Sequence, residues 1–196
     1  MILFIAAIML TYCACNNATS SKDSVEKADS SNKSRRDSNN TTTGKAAIQA
    51  DKETSDFLVK AMDGGIMEVD LGNIAKMKAH DKGVKAFGEM MVKDHTAANA
   101  KISNLASART VSVPSRVSDD KADKIKKMNK KNGHDFDKDY IDMMVDDHKD
   151  DIKEFEKVAD KTTDTEVKQF INSTLPTLRK HLDSCTAIQE RFKRHS

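Results

Sequence analysis

Four stretches of the chain place small or apolar residues at alternating steps of three and four, the spacing of one helix face. The first stripe is Leu58, Ala61, Gly65, Glu68, Gly72, Ala75 and Ala79. It stops at His80-Asp81-Lys82-Gly83, a turn-forming run that ends in glycine. The second is Val84, Gly88, Met91, His95, Ala98, Ile102 and Leu105. The third is Ile141, Met144, Val145, His148, Ile152, Phe155 and Ala159, and it stops at Lys161-Thr162-Thr163-Asp164. The fourth is Val167, Ile171, Thr174, Leu178, His181, Cys185, Ile188 and Phe192. Each stripe is sided, so each helix needs partners along one face.

The connections set the topology. Short turns join helix one to helix two and helix three to helix four, which makes two antiparallel hairpins. Between the hairpins the β-branched run Thr110 to Ser118, with Pro114, cannot continue a helix. Asp119 to Lys131 reads as a short basic helix ending at Asn132-Gly133. Two hairpins joined by a connection of about 27 residues make an all-α, ferritin-like four-helix bundle with one long crossover. An internal repeat agrees with this plan. Phe87-x-x-Met90-Met91-Val92-x-Asp94-His95 is echoed by Tyr140-x-x-Met143-Met144-Val145-x-Asp147-His148, and Val84-Lys85-Ala86-Phe87 by Val167-Lys168-Gln169-Phe170.

Composition fits an aliphatic helical domain. Apolar residues make up 37%, aromatics 5%, and only two prolines and seven glycines interrupt the chain. Charged residues are 33%, yet the net charge is only +2, with both signs interspersed. That balance leaves no basic footprint for nucleic acid.

The N-terminus carries a different signal. Met1 to Leu10 is an uncharged apolar run. Its length suits a signal-peptide core, and a membrane span needs about 20 residues. It runs into Tyr12-Cys13-Ala14-Cys15, which looks like a lipobox. Cys15 follows the small Ala14 and is the expected lipidation site. Cys13, behind bulky Tyr12, is the alternative. A plain secretory signal or an uncleaved anchor leads to the same place, the cell envelope. The expected location is the periplasmic side of a bacterial membrane, as an outer-membrane lipoprotein with a membrane partner through its lipid. Residues 16–50 are rich in Ser, Asn, Thr, Lys and Asp. They read as a disordered linker, about 120 Å long if fully extended. The expected divisions are therefore 1–15 signal, 16–50 linker and 51–196 helical domain.

Each stripe holds one metal-competent side chain: Glu68, His95, His148 and His181. At about 1.5 Å per residue, Glu68 and His95 should lie level, about 14 and 13 residues from their shared turn. His148 and His181 lie about 14 and 18 residues from theirs, a mismatch of about 6 Å. Such a set suits Zn, Cu, Fe or Ni. Asp94 and Asp147 point about 100° away on their helices, where they could only support or face water. A diiron centre needs Glu-x-x-His, but Val92 and Val145 occupy the positions three before His95 and His148. The plainer alternative is a set of hydrogen-bonded core histidines, with a Glu68–His95 ion pair fixing helix register. The paired methionines at 90, 91, 143 and 144 could be copper ligands, but core filling is the commoner role. Pro176 should kink the fourth helix just before His181. Gly64, Gly65 and Gly72 suggest close approach of a neighbouring helix. His80, His134 and His195 fall at turns or the terminus. No nucleophile–base series, CxxC pair or phosphate loop is present, so no metal-free enzyme is indicated.

Four motifs together resemble one family. They are Phe57-Leu58 followed by Gly64 to Gly72, Phe87 to Asn99, Tyr140 to His148, and Thr174 to Leu182. In that order they are similar to the bacterial family DUF4142, often labelled a predicted outer membrane protein, over about residues 55 to 190. The resemblance implies a ferritin-like helical fold and an envelope location, and it brings no established reaction. A β-barrel is not implied, because nothing in the chain alternates as barrel strands do. Two functional readings follow: an envelope-anchored binding or structural module, or a metal-binding or redox protein using the Glu/His set.

Overall fold

A computed structural model describes residues 23–39 and 50–194. The expected signal and lipidation residues, Cys13 and Cys15 among them, lie outside those residues. Among the described residues there are six helices: α1 Ser24–Asn39, α2 Lys52–Lys78, α3 Lys82–Ala108, α4 Asp119–Asn129, α5 Gly133–Lys161 and α6 Thr165–Arg194. The chain folds all-α among the described residues, and the four long helices follow the four stripes. None of the described helices is long and apolar enough to cross a membrane.

Local chemistry fixes the ends. Asp51 caps α2 by accepting from the Thr54 amide, and Asp81 caps α3 by accepting from those of Gly83 and Val84. Gly133 opens α5 with φ of 57°, a left-handed conformation that favours glycine. The α6 helix continues through Pro176, which cannot donate to the Asn172 carbonyl.

Ties between the hairpins reveal their relative direction. Buried Asp137, near the start of α5, accepts from the backbone amides of His80 and Asp81 between α2 and α3. Arg191, near the end of α6, forks onto Asp81 at 2.7 and 2.8 Å. At the opposite end Arg109, just after α3, forks onto Asp164 between α5 and α6 and also reaches Glu166. The starts of α3 and α5 are therefore together, and so are their ends. These helices run parallel, which requires residues 109–132 to travel back along the bundle. That is the long crossover of the ferritin-like plan.

The parallel pair also explains the internal repeat. Phe87 meets Tyr140 at 6.0 Å between ring centroids, and His95 meets His148 at 5.8 Å, so equivalent residues of the two copies face one another. Gly72 and Gly88 let α2 and α3 touch backbone to backbone. A Cβ on Gly88 would stand 2.8 Å from the Gly72 carbonyl oxygen.

The core divides into two apolar clusters. One gathers Phe57, Leu58, Ile102, Phe155, Ile171 and Leu178. The other gathers Leu71, Val84, Met91, Tyr140, Met144 and Cys185. Between them lies a buried polar layer.

One expectation needs correction. Residues 16–50 are not uniformly without structure, because α1 occupies Ser24–Asn39. It has few apolar residues, so polar contacts hold it. Asn32 donates from Nδ2 to the Ser112 carbonyl and accepts the Ser112 amide on Oδ1, while Arg35 donates to the Thr110 carbonyl. Ala28 and Asn32 form its buried face. Asp23, just ahead of the helix, accepts from the Asp119 amide at the start of α4. The helix thus covers the extended segment that opens the crossover.

Candidate metal centre

The polar layer is made by the four residues on the four stripes: Glu68 on α2, His95 on α3, His148 on α5 and His181 on α6. All four are buried, at 2%, 6%, 0% and 1% exposure. One ligand atom from each of His95, His148 and His181 can be chosen so that all lie within 4.8 Å of one another. The ring centroids form a nearly regular triangle with sides of 5.3, 5.3 and 5.8 Å. The one-turn mismatch inferred for His181 does not separate it from His148. The close set is the three imidazoles, and Glu68 stands beside it.

Each ring is held by an outer partner. His148 Nδ1 lies 2.9 Å from the Met144 carbonyl oxygen one turn earlier. A carbonyl only accepts, so this nitrogen carries the proton and Nε2 carries the lone pair. His181 Nε2 lies 3.0 Å from Asp94 Oδ2, which fixes the proton there and the lone pair on Nδ1. His95 Nδ1 lies 2.8 Å from Glu68 Oε2, and His95 Nε2 is buried with no hydrogen-bond partner. Asp94, expected to point away, therefore anchors His181 from the rim of the layer. Asp147 faces the positive charges of Lys121 and Lys124 and takes no part in orienting the rings.

The consequence is an electrostatic conflict. His148 Nε2 and His181 Nδ1 face each other at 3.3 Å. With the outer protons placed as above, two lone pairs meet and no proton lies between them. A second proton on a ring would resolve this, but burial opposes it. Desolvation pushes His95 and His148 down to about 4, and it lowers His181 against the opposing pull of Asp94. Glu68 is pushed upward by desolvation, with His148 opposing. Its Oε1, 3.7 Å from His148 Nε2, has no hydrogen-bond partner.

A cation placed between the two nitrogens would satisfy both lone pairs. Two nitrogens each about 2.0–2.1 Å from one tetrahedral ion lie about 3.3–3.4 Å apart. The His148–His181 separation already has that value. Imidazoles oriented by a carboxylate or carbonyl on the far nitrogen are the usual support of a metal ligand. The methionines do not join the set. Met91 and Met144 are wholly buried in the second apolar cluster. Cys185 is a free thiol one turn beyond His181, and burial pushes it up to about 12. His80 and His134 are exposed.

The four stripe residues do form the layer, and the contact of Glu68 with His95 is the one offered by the ion-pair alternative. The division into three converging rings and one carboxylate partner depends on side-chain direction, which spacing does not encode. Arg109 and Asp137, which hold the hairpins in register, gave no sequence signal beyond being charged.

Comparison with known proteins bears on the fold and family. No curated protein matches the chain. A crystal structure of a DUF305 fragment from Deinococcus radiodurans is similar, with a TM-score of 0.65 and 10% identity over 73% of this chain and 99% of that one. At that identity the likeness concerns the helical fold alone. The model of the family described as "Domain of unknown function (DUF4142)" matches residues 39–188, which contain all four residues of the polar layer, and the chain belongs to that family.

Proposed function

We propose that this protein binds a divalent transition-metal ion through His95, His148 and His181, with Glu68 and Asp94 orienting two of the rings. The observation that carries the reading is the convergence of buried imidazole nitrogens whose far nitrogens are already engaged, leaving lone pairs opposed at 3.3 Å. Neutral imidazole suits Zn(II), Cu(II) and Ni(II), and also iron. A register-fixing hydrogen-bond layer without metal would place a donor against each acceptor, and here His95 Nε2 and Glu68 Oε1 are left without one. The role is binding, with redox chemistry open to Cu or Fe and none to Zn. Delivery to the bacterial envelope belongs to the same proposal, supported by the apolar run Met1 to Leu10 and the lipobox-like Ala14-Cys15. Incorporation of labelled fatty acid, lost in Cys15→Ser, is the expected result for that part.

The metal test uses the full chain stripped with chelator and then offered Zn(II), Cu(II), Ni(II) or Co(II) singly. One ion per chain is expected for at least one of them. His95→Ala and His148→Ala should each lower the affinity by at least a hundredfold while circular dichroism stays helical. Failure of all four ions to bind a folded wild-type chain refutes the reading.

A further inference from the structure

The polar layer is closed in every direction but one. His148 closes the α5 side and Glu68 the α2 side, while the two apolar clusters close the layer along the bundle axis. Between α3 and α6 a cleft of about 150 Å³ reaches the layer. Its floor includes the buried rings of His95 and His181, and its rim includes the exposed residues Ala97, Lys101 and Ser173.

The sequence accounts for the opening. Between Asp94-His95 and Lys101, the α3 wall carries Ala97 and Ala98, which reach little toward α6. On α6, Ser173 and Thr174 turn their hydroxyls back to the Phe170 carbonyl. Pro176 interrupts the backbone bonding in the same turn. Small side chains and a proline thus leave a gap where a leucine pair would have sealed the core.

We propose that a metal held by the three histidines keeps one coordination position open toward this cleft, and that this position takes an exogenous Lewis base of only a few atoms. The inference rests on the metal reading above. Structural tetrahedral sites are closed by four protein ligands, whereas three protein ligands leave a fourth position for water or another small ligand. Size limits the class. A cavity of about 150 Å³ is large enough to take a ring the size of benzene. That is room for a ligand of up to about six heavy atoms, and well below the roughly 300 Å³ at which drug-sized pockets begin. Lys101 and Asp94 both line the cleft and offset one another, so the charge of the bound cation itself favours an anionic ligand.

Azide is a suitable probe, and the full chain loaded with Co(II) reports it through its visible absorption bands. One Co(II) per chain is expected, with bands that shift saturably on azide addition. Ala97→Phe, at the exposed rim, should weaken the apparent azide affinity at least tenfold and leave Co(II) stoichiometry unchanged. Thr177→Leu narrows the same cleft from the α6 side and should act in the same direction. Bound Co(II) whose spectrum ignores azide overturns the open position while the metal site stands. An azide response equal in wild type and in both variants overturns the cleft as its route. A folded chain that takes up none of the metals overturns the metal reading, and this inference with it.

Discussion

Two glycines on the first hairpin should respond to the same substitution in opposite directions. Gly88→Ala would place a methyl 2.8 Å from the Gly72 carbonyl oxygen, 2.9 Å from Ala75 Cβ and 3.3 Å from the Lys76 amide nitrogen. Optimal carbon contacts lie near 3.5–4.0 Å, so α2 and α3 must separate locally by something on the order of 1 Å. Two of the three obstacles are backbone atoms and the third is a β-carbon, and none can rotate away. Overpacking of this kind costs about 1–3 kcal/mol, against a helix-propensity gain of about 1 kcal/mol. A net loss of about 0–2 kcal/mol is expected. Gly64 sits in the interior of α2, and a Cβ there meets nothing within 4 Å. Gly64→Ala should therefore keep the propensity gain and add about 0.5–1 kcal/mol. Urea unfolding followed by circular dichroism measures both, with an unchanged m-value confirming that the native and unfolded states remain comparable. If Gly88→Ala proves as stable as Gly64→Ala, the backbone contact between α2 and α3 is not as close as described. The perturbation should also reach the polar layer, because Gly72 lies one turn from Glu68 and Gly88 two turns from His95.

Other outcomes follow from the same geometry. His148 is held neutral, near 4 when folded against 6.5 in the unfolded chain. The unfolded state takes up its proton first as pH falls, so this contribution is present above 6.5 and is lost progressively toward 4. The metal-free stability difference between wild type and His148→Gln should shrink by about 2 kcal/mol between pH 7 and pH 5, and a difference that stays constant in denaturant titrations counts against a buried neutral ring. Asp137→Ala leaves the amides of His80 and Asp81 without their acceptor and should cost about 2–4 kcal/mol by thermal or urea unfolding. Asn32→Ala removes both bonds to Ser112 and should speed amide exchange across residues 24–39 at least tenfold, leaving α2 to α6 protected.

The four long helices were readable because each carries a sided stripe along most of its length, and tertiary packing uses that same face. The turns were readable because the polar runs from His80 to Gly83 and from Lys161 to Asp164 interrupt the apolar stripes. The depth of His181 was misjudged for a physical reason. Counting residues from a turn locates Cα atoms, but helical side chains lean toward the N-terminus of their own helix. On α5 that direction is away from the shared turn, and on α6 it is toward it. His148 and His181 therefore lean toward each other and close the gap left by their backbones. The α1 helix was not readable, because its place is set by Asn32 and Arg35 bonding to distant backbone groups. A search for apolar periodicity does not register such contacts.

The paired clasps at opposite ends of the bundle have a consequence for assembly. Long helices with similar aliphatic layers can slide past one another by one turn, about 5.4 Å, with modest loss of apolar contact. Here such a slip would pull Arg191 from Asp81 and Arg109 from Asp164 at once, because the two pairs join the same hairpins at their two extremities. The clasps work as a vernier. They set the axial alignment to within a hydrogen bond's tolerance, so three imidazoles borne on three separate rods arrive at a common height through the protein's own contacts.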